Sequence, residues 1–416
     1  MRYAVICYTG TMFDRLKGIL TMFQSAGNSV VGVDIGSAYI KVVQLRRKGG
    51  RAILETYGSL ALGPYAETEI GRATHLPTEV LSEALRDLLR EAHVTSQKAA
   101  CSIPFTSSLV TIMDLHVHDP KQLASLVSLE ARKYVPVPIS EVNLDWWIIP
   151  EEPGQSTKEE SHLTGSPQGS PEGIPQSEAG DPSGATSSLD TATVNSFTLG
   201  LPTSKTTKIL IAAIHNDALG RFQGVAMQSG LEASFFEIEL FSAIRVLFPQ
   251  DLLPHAVLDL GAGETKLYVI DRGIVRLSHV ISHGGQDITL SLSRSLGITV
   301  TDAEKMKRAV GLQGSGEEVA VTTGILNLIF GETNRALEGF EHKTGKKVDK
   351  LILSGGGANL IGLEELAKQT LSVPVERADP FKQVEAPAFL EDMLKSVGPE
   401  FTVALGIAFR KLQEGS

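Results

Sequence analysis

The sequence predicts an α/β protein of two lobes made by duplication, with a small extra unit set into the first lobe. Two observations carry this. Asp34-Ile35-Gly36-Ser37-Ala38 and Asp259-Leu260-Gly261-Ala262-Gly263 each close an apolar strand-like run, and each is followed at the same spacing by a lysine, Lys41 and Lys266. Copies so far apart mark a domain-scale duplication, not a solenoid period. The second observation is a Ser-, Gly-, Pro- and acid-rich tract at about 151–207, flanked by VNLDWWII and KILIAAI, which both read as strands. The tract has too few hydrophobes to offset its ordering entropy and is expected to be a disordered decoration on a hairpin.

The chain has 416 residues, 42% of them hydrophobic, enough for several cores. Its formal charge of −10 argues against nucleic acid or anionic lipid as the main ligand. Cys7 and Cys101 make neither a disulfide framework nor a four-ligand zinc site, and no apolar run approaches the roughly 18–20 residues of a membrane span, so the chain reads as cytoplasmic. The first residues carry Asp14, Arg15 and Lys17 within their apolar stretch, unlike a signal peptide.

From residue 29, VVGVDIG, YIKVVQLRR and AILETYGSLAL read as a meander turning at Gly49-Gly50. Leu81, Ala84, Leu85, Leu88 and Leu89 lie at helical spacing behind Pro77, which is harmless at a helix start. A strand near Ser108–Leu115 and a helix ending before Pro136 then join the strands flanking the tract into a strand–helix–strand–strand unit. Beyond it, a helix is expected at Asp217–Ser229 and a short strand running into another helix in EASFFEIELFSAIRVLF, followed by a second meander, AVLDLG, ETKLYVID and GIVRLSHVIS. Helices near 286–296, 302–310 and 318–343, the strand KLILSG, a helix near Leu363–Thr370 and a last helix in TVALGIAFRKL complete the reading.

A strand that ends in Asp-x-Gly and turns straight into the next can present successive N–H groups as a nest for phosphate oxygens. Its Asp can orient a hydrated Mg²⁺. A lone copy is most simply turn chemistry; two copies in matched context point to hairpins clamping a polyphosphate from both sides. Three further features are weaker alone. Gly355-Gly356-Gly357, before Asn359, leaves room for a base or an α-phosphate, or is simply a flexible turn. Gly284-Gly285 precedes a helix. Glu304 and Lys307 share a helical face and either reach a ribose and base or form a surface ion pair.

This order of motifs resembles the actin-like ATPase superfamily. Locally, VVGVDIGSAYIKVVQL, LVSLEARKYVPVPISEVNLDW, VLDLGAGETKLYVI, SHGGQDITLSLSRSLGITVTDAEKMK and LILSGGGANLIGLEE resemble the PilM family of type IV pilus assembly proteins, relatives of FtsA. The resemblance implies an actin-like, ribonuclease H-like duplicated fold of two lobes with an SHS2-like subdomain. Its implied division is an extension at 1–28, the first lobe at 29–98 and 217–253, the SHS2-like unit at 99–216, and the second lobe at 254–400 with a helical subdomain at about 286–345. Residues 401–416 would return to the first lobe. It also implies ATP and Mg²⁺ as ligands. Asp34, Gly36, Ser37, Ala38 and Lys41 would face Asp259, Gly261, Ala262 and Gly263 across the phosphates, with Asp34 and Asp259 on the metal side, through water. Gly284, Gly285, Glu304, Lys307, Gly355, Gly356, Gly357 and Asn359 would surround the adenosine. Glu239, or failing it Glu237, would orient an attacking water in an enzyme that is at most a weak ATPase.

The implied role is a cytoplasmic scaffold at the inner face of the inner membrane. It would bind the cytoplasmic tail peptide of a PilN-like protein, link it to the pilus motor ATPase or platform protein, and meet the membrane only through partners. An FtsA-like division adaptor and an actin-fold sugar kinase are the alternatives. Members of the family begin with a segment resembling MFQSAGNSVVGVDIGS, which makes Met22 or Met12 a candidate start and a real amphipathic extension the alternative.

Overall fold

A computed structural model describes residues 5–6, 29–117, 123–150, 205–248 and 252–414. The readings of a start at Met12 or Met22 and of a disordered tract at 151–204 lie outside these residues.

The first meander is β2 (Ser29–Ile35), β3 (Tyr39–Lys48) and β4 (Arg51–Ala61), preceded by a two-residue strand β1 (Val5–Ile6) that pairs with β4. Helix α1 (Thr78–Glu91) follows, burying Leu81, Ala84, Leu85 and Leu88 on one stripe. Strands β5 (Lys98–Ile103) and, much later, β9 (Glu232–Ile238) extend the sheet in parallel, giving the order β1-β4-β3-β2-β5-β9. The second sheet repeats this plan. Antiparallel β10 (His255–Leu260), β11 (Thr265–Asp271) and β12 (Ile274–Ile281) are joined in parallel by β13 (Lys350–Ser354) and β14 (Val375–Arg377), in the order β12-β11-β10-β13-β14. Apart from β1 the two sheets have the same strand order and directions, so the duplication read from two short motifs extends through five strands on each side.

Between β5 and β9 lie the extra unit, β6 (Ser108–Val117), α2 (Leu123–Ala131), β7 (Val142–Ile148) and β8 (Lys205–His215), and then α3 (Asn216–Gln228), whose Phe222, Val225 and Ala226 join α1 in the core of the first lobe. The sheet of the extra unit runs β6-β8-β7, all antiparallel, with Met113, Leu115, Val127, Ala131, Ile209 and Ile211 as its core. Strands β7 and β8 are the hairpin expected to carry the tract. The tract ends earlier than its composition suggested, because Lys205, Thr206 and Thr207 continue the ladder opposite Val117, His116 and Leu115. Residues 99–103, grouped with the extra unit on sequence, are instead a strand of the first sheet, their Ala and Cys side chains buried between β2 and β9.

After β9 comes α4 (Glu239–Leu247), and between β12 and β13 come α5 (Gly285–Leu296), α6 (Val300–Val310) and α7 (Glu317–Thr344). Helix α8 (Leu363–Thr370) precedes β14; α9 (Glu391–Val397) and α10 (Thr402–Glu414) follow it. Helix α10 packs Ala404, Leu405, Ala408 and Leu412 against Val30, Val43 and Leu45 of the first sheet. The approach needs two missing side chains. A Cβ on Gly32 would lie 2.1 Å from the Ala404 carbonyl oxygen, and one on Gly406 would lie 2.0 Å from that of Ser242 in α4.

Candidate functional site

The two hairpins turn in the same way. Asp34 faces Lys41 across the β2–β3 ladder and Asp259 faces Lys266 across β10–β11. Gly36 N–H donates to Tyr39 O at 2.9 Å, and Gly261 N–H to Glu264 O at 3.0 Å. These glycine amides close the turns, so the nest is formed by the residues after them. The N–H groups of Ser37, Ala38, Ala262 and Gly263 have no acceptor among the described residues. All four residues line one cavity of about 660 Å³ between the lobes, a volume typical of small-molecule sites.

Every residue singled out on sequence borders that cavity except Glu237. Glu237 faces Arg245, which donates to both its oxygens at 2.6 and 2.7 Å, while Ser242 donates a third bond. Glu239, the first residue of α4, is buried at the cavity wall; its Oε1 accepts both Lys266 Nζ and Phe105 N–H, each at 2.7 Å.

The four central charges are not equivalent. Asp34 accepts Ser102 Oγ at 2.9 Å and Lys41 Nζ at 3.3 Å. Burial alone would lower Lys41, but Asp34, Glu400 and Asp259 outweigh it and hold its ammonium above the usual lysine range. Burial likewise opposes the charge on Lys266, and Glu239 with Asp259 more than restores it. The Asp259 carboxylate accepts no hydrogen bond among the described residues. Burial pushes its carboxyl up to about 6, Glu239 and Asp34 push the same way, and Lys266 and Lys41 oppose them.

On the far wall, Gly355 takes φ +82°, and a Cβ there would lie 2.3 Å from Asp259 Oδ1. This glycine lets the third motif close over the second hairpin, whereas Gly356 faces open space. Asn359 Oδ1 accepts Arg377 at 2.8 Å. The Gly284-Gly285 pair borders the cavity but also has a packing role. Gly285 N–H and Gln286 N–H donate to Gly261 O and Ala262 O, seating α5 on the second hairpin. Glu304 and Lys307 pair at 2.6 Å, with Thr289 donating to Glu304 and Lys307 donating to Gly285 O. Burial raises Glu304, but Lys307, Thr289 and Arg308 outweigh it and hold the carboxyl below its usual range. The pair is therefore a largely buried ion pair, not a surface one, and it lies in the cavity wall.

Sequence reasoning missed several lining residues. Arg308, next to Lys307 in the chain, bonds Glu304 at 2.7 Å and reaches across to Tyr39 Oη of the first lobe at 2.6 Å. Ala73 N–H donates to Gln286 at 3.2 Å as a second crossing between the lobes. Lys266 was visible in the repeat but carried no role. Glu400 had no sequence signal; it reaches the cavity through the turn before α10, where burial raises its carboxyl against Lys41 and Arg308.

A duplicated sheet pair with a cleft between facing hairpins defines the actin-like class. The family described as type IV pilus assembly protein PilM matches residues 32–167 and 189–412. The chain belongs to this PilM family of type IV pilus assembly proteins, which is related to FtsA. A solved PilM–PilN type IV pilus biogenesis complex aligns over 92% of this chain and 98% of that one, with a TM-score of 0.69 at 22% identity, which establishes the shared fold. The cell division protein FtsA of Agrobacterium fabrum is 27% identical over 181 residues, 36% of this chain and 39% of the relative. FtsA of Neisseria meningitidis is 23% identical over 227 residues, 48% and 53%. The chain thus spans about two-fifths to half the length of these relatives. No helix among the described residues is long and apolar enough to cross a membrane.

Proposed function

We propose that the interlobe cavity binds ATP with Mg²⁺ and that nucleotide occupancy sets the shape of a pilus assembly scaffold. The observation carrying this reading is the matched pair of hairpins, each offering two unaccepted N–H groups to the same cavity. Asp259, half-buried with a carboxylate that accepts no hydrogen bond among the described residues, is the carboxylate in need of a cation. Among the described residues no three His, Cys, Asp or Glu side chains converge as a metal site. A magnesium ion here would rely on phosphate and water, with Asp34 and Asp259 acting through that water. Glu304, Lys307, Gly355–Gly357 and Asn359 form the adenosine side.

Turnover is at most slow in this reading. Glu239 already shares Oε1 between two donors, leaving Oε2 to orient a water. The β6-β8-β7 unit is the SHS2-like module, with the domain limits implied by the resemblance and its start moved past β5. Its occupant is the cytoplasmic tail of a PilN-like inner-membrane protein, as the partner in the related complex suggests. A motor ATPase or platform protein is the second partner, and the scaffold stands at the cytoplasmic face of the inner membrane through these contacts.

Calorimetry with Mg-ATP tests the central claim. Binding should require Mg²⁺ and vanish in Asp34→Ala/Asp259→Ala; undiminished binding in the double variant would remove the clamp. Pull-down by the PilN-like tail peptide tests the partner, and failure to retain the full chain would count against it.

A further inference from the structure

We propose that Lys266 is a positioning residue that couples the nucleotide cavity to the inserted β6-β8-β7 unit through Glu239 and the Phe105 amide. The coupling rests on the nucleotide reading above; the strut itself does not. Lys266 stands on β11 of the second lobe, Glu239 opens α4 of the first, and Phe105 begins the short turn that leads from β5 directly into β6. One carboxylate oxygen therefore ties three elements together: Lys266 Nζ at 2.7 Å and Phe105 N–H at 2.7 Å. The junction also borders the ligand space, since Pro104, Thr106 and Ser107 line the cavity on either side of Phe105. The Phe105 ring itself packs edge-on against Tyr268 of β11, centroids 5.4 Å apart, so the junction is fixed to the second lobe by its ring as well.

The asymmetry of the repeat singles this lysine out. Lys41 pairs with Asp34, its partner across the ladder, but Lys266 turns away from Asp259 to Glu239, with Glu264 at 3.7 Å as a weaker neighbour. Lys266 is thus the cation whose position depends on what fills the cavity. With phosphate oxygens held at Ala262 and Gly263, its ammonium is drawn toward them and off Glu239. A buried carboxylate left without its counter-charge turns toward cavity water, and the Phe105 N–H loses its acceptor. The start of β6 is loosened as a result. By linkage, a partner docked on the inserted unit that holds this junction firm must change nucleotide affinity by the same factor.

Hydrogen exchange on the full chain, resolved at residues 104–107, tests both halves. Without ligand, Lys266→Met should speed exchange at Phe105 roughly tenfold, and Lys266→Arg, which can still donate to Glu239, should stay within about threefold of wild type. Equal exchange in wild type and Lys266→Met would overturn the strut. With a saturating non-hydrolysable ATP analogue and Mg²⁺, wild type should show an increase of about fivefold at 104–107, and Lys266→Met, brought to saturation at the weaker affinity that calorimetry gives for it, no further increase. An unchanged junction in analogue-bound wild type would overturn the coupling. Absence of calorimetric binding by wild type would overturn the nucleotide reading and the coupling together, with the ligand-free comparison still deciding the strut.

Discussion

The β2–β3 and β10–β11 hairpins share a strand register, a turn and a Lys-Asp pairing across the ladder, yet their acids live in opposite circumstances. Asp34 is satisfied by Lys41 and Ser102, whereas Asp259 has lost its lysine to Glu239 and its carboxylate accepts no hydrogen bond among the described residues. The difference teaches that a duplicated backbone can keep one copy as a finished structural ion pair and leave the other as an unfinished, ligand-demanding site. What separates them is the third partner. Ser102 on β5 completes the first hairpin, while its counterpart on β13, Ser354 opposite Asp259, donates instead to Thr402 Oγ1 at 3.0 Å.

The largest effect should come from neutralising each acid in turn. Asp34→Asn removes the counter-charge of Lys41, whose side chain is only 14% exposed, and should cost about 2 kcal/mol in urea unfolding. Asp259→Asn should act in the opposite direction, stabilising the ligand-free chain by about 1 kcal/mol at pH 7, because its carboxyl ionises there at a cost. The same Asp259→Asn change should weaken Mg-ATP binding about 100-fold by calorimetry. Equal destabilisation by the two substitutions would show that the hairpins are equivalent after all.

Gly355→Ala is the next test. Its Cβ would press on Asp259 Oδ1 from a left-handed backbone, and thermal unfolding should report a loss of about 2 kcal/mol. Gly356→Ala, facing open space, serves as the control and should leave stability within about 1 kcal/mol of wild type.

The smallest effect is in pH. The Asp259 carboxyl is raised to about 6 in the fold, so the folded state binds its proton more tightly than the unfolded chain. Its contribution to stability therefore falls as pH rises from about 4 to about 6, and Asp259→Asn should remove that slope. Glu304 has the opposite sign. Its depressed carboxyl contributes stability above the ordinary range, and that contribution is lost as pH falls through its folded value. Equilibrium unfolding across pH 3–7 separates the two.

The backbone plan was the most legible part of this molecule in its sequence. Asp-x-Gly punctuation after β-branched runs located both hairpins, and helical spacing located α1. Strand β5 escaped because Ala99, Ala100 and Cys101 carry little strand propensity and owe their place to burial between two parallel neighbours. Strand β14, three residues long, is likewise made by its parallel partner β13. Within the site, residues of the two repeats and the glycine loop could be read, since motif and position coincide. Glu400 and Arg308 could not, because their roles arise only when separate segments converge on the cleft. Nor could the exchange of partners by Lys266, which depends on where α4 begins.

The close seating of α10 on Gly32 has a consequence for the order of events during synthesis. The first sheet is among the earliest segments to emerge, but the helix that covers Val30, Val43 and Leu45 is encoded after the entire second lobe. An intermediate with the second lobe folded and one face of the first sheet still bare is therefore built into the chain order. That waiting apolar face is where a holding chaperone would be needed, and where a fragment ending before Thr402 would self-associate.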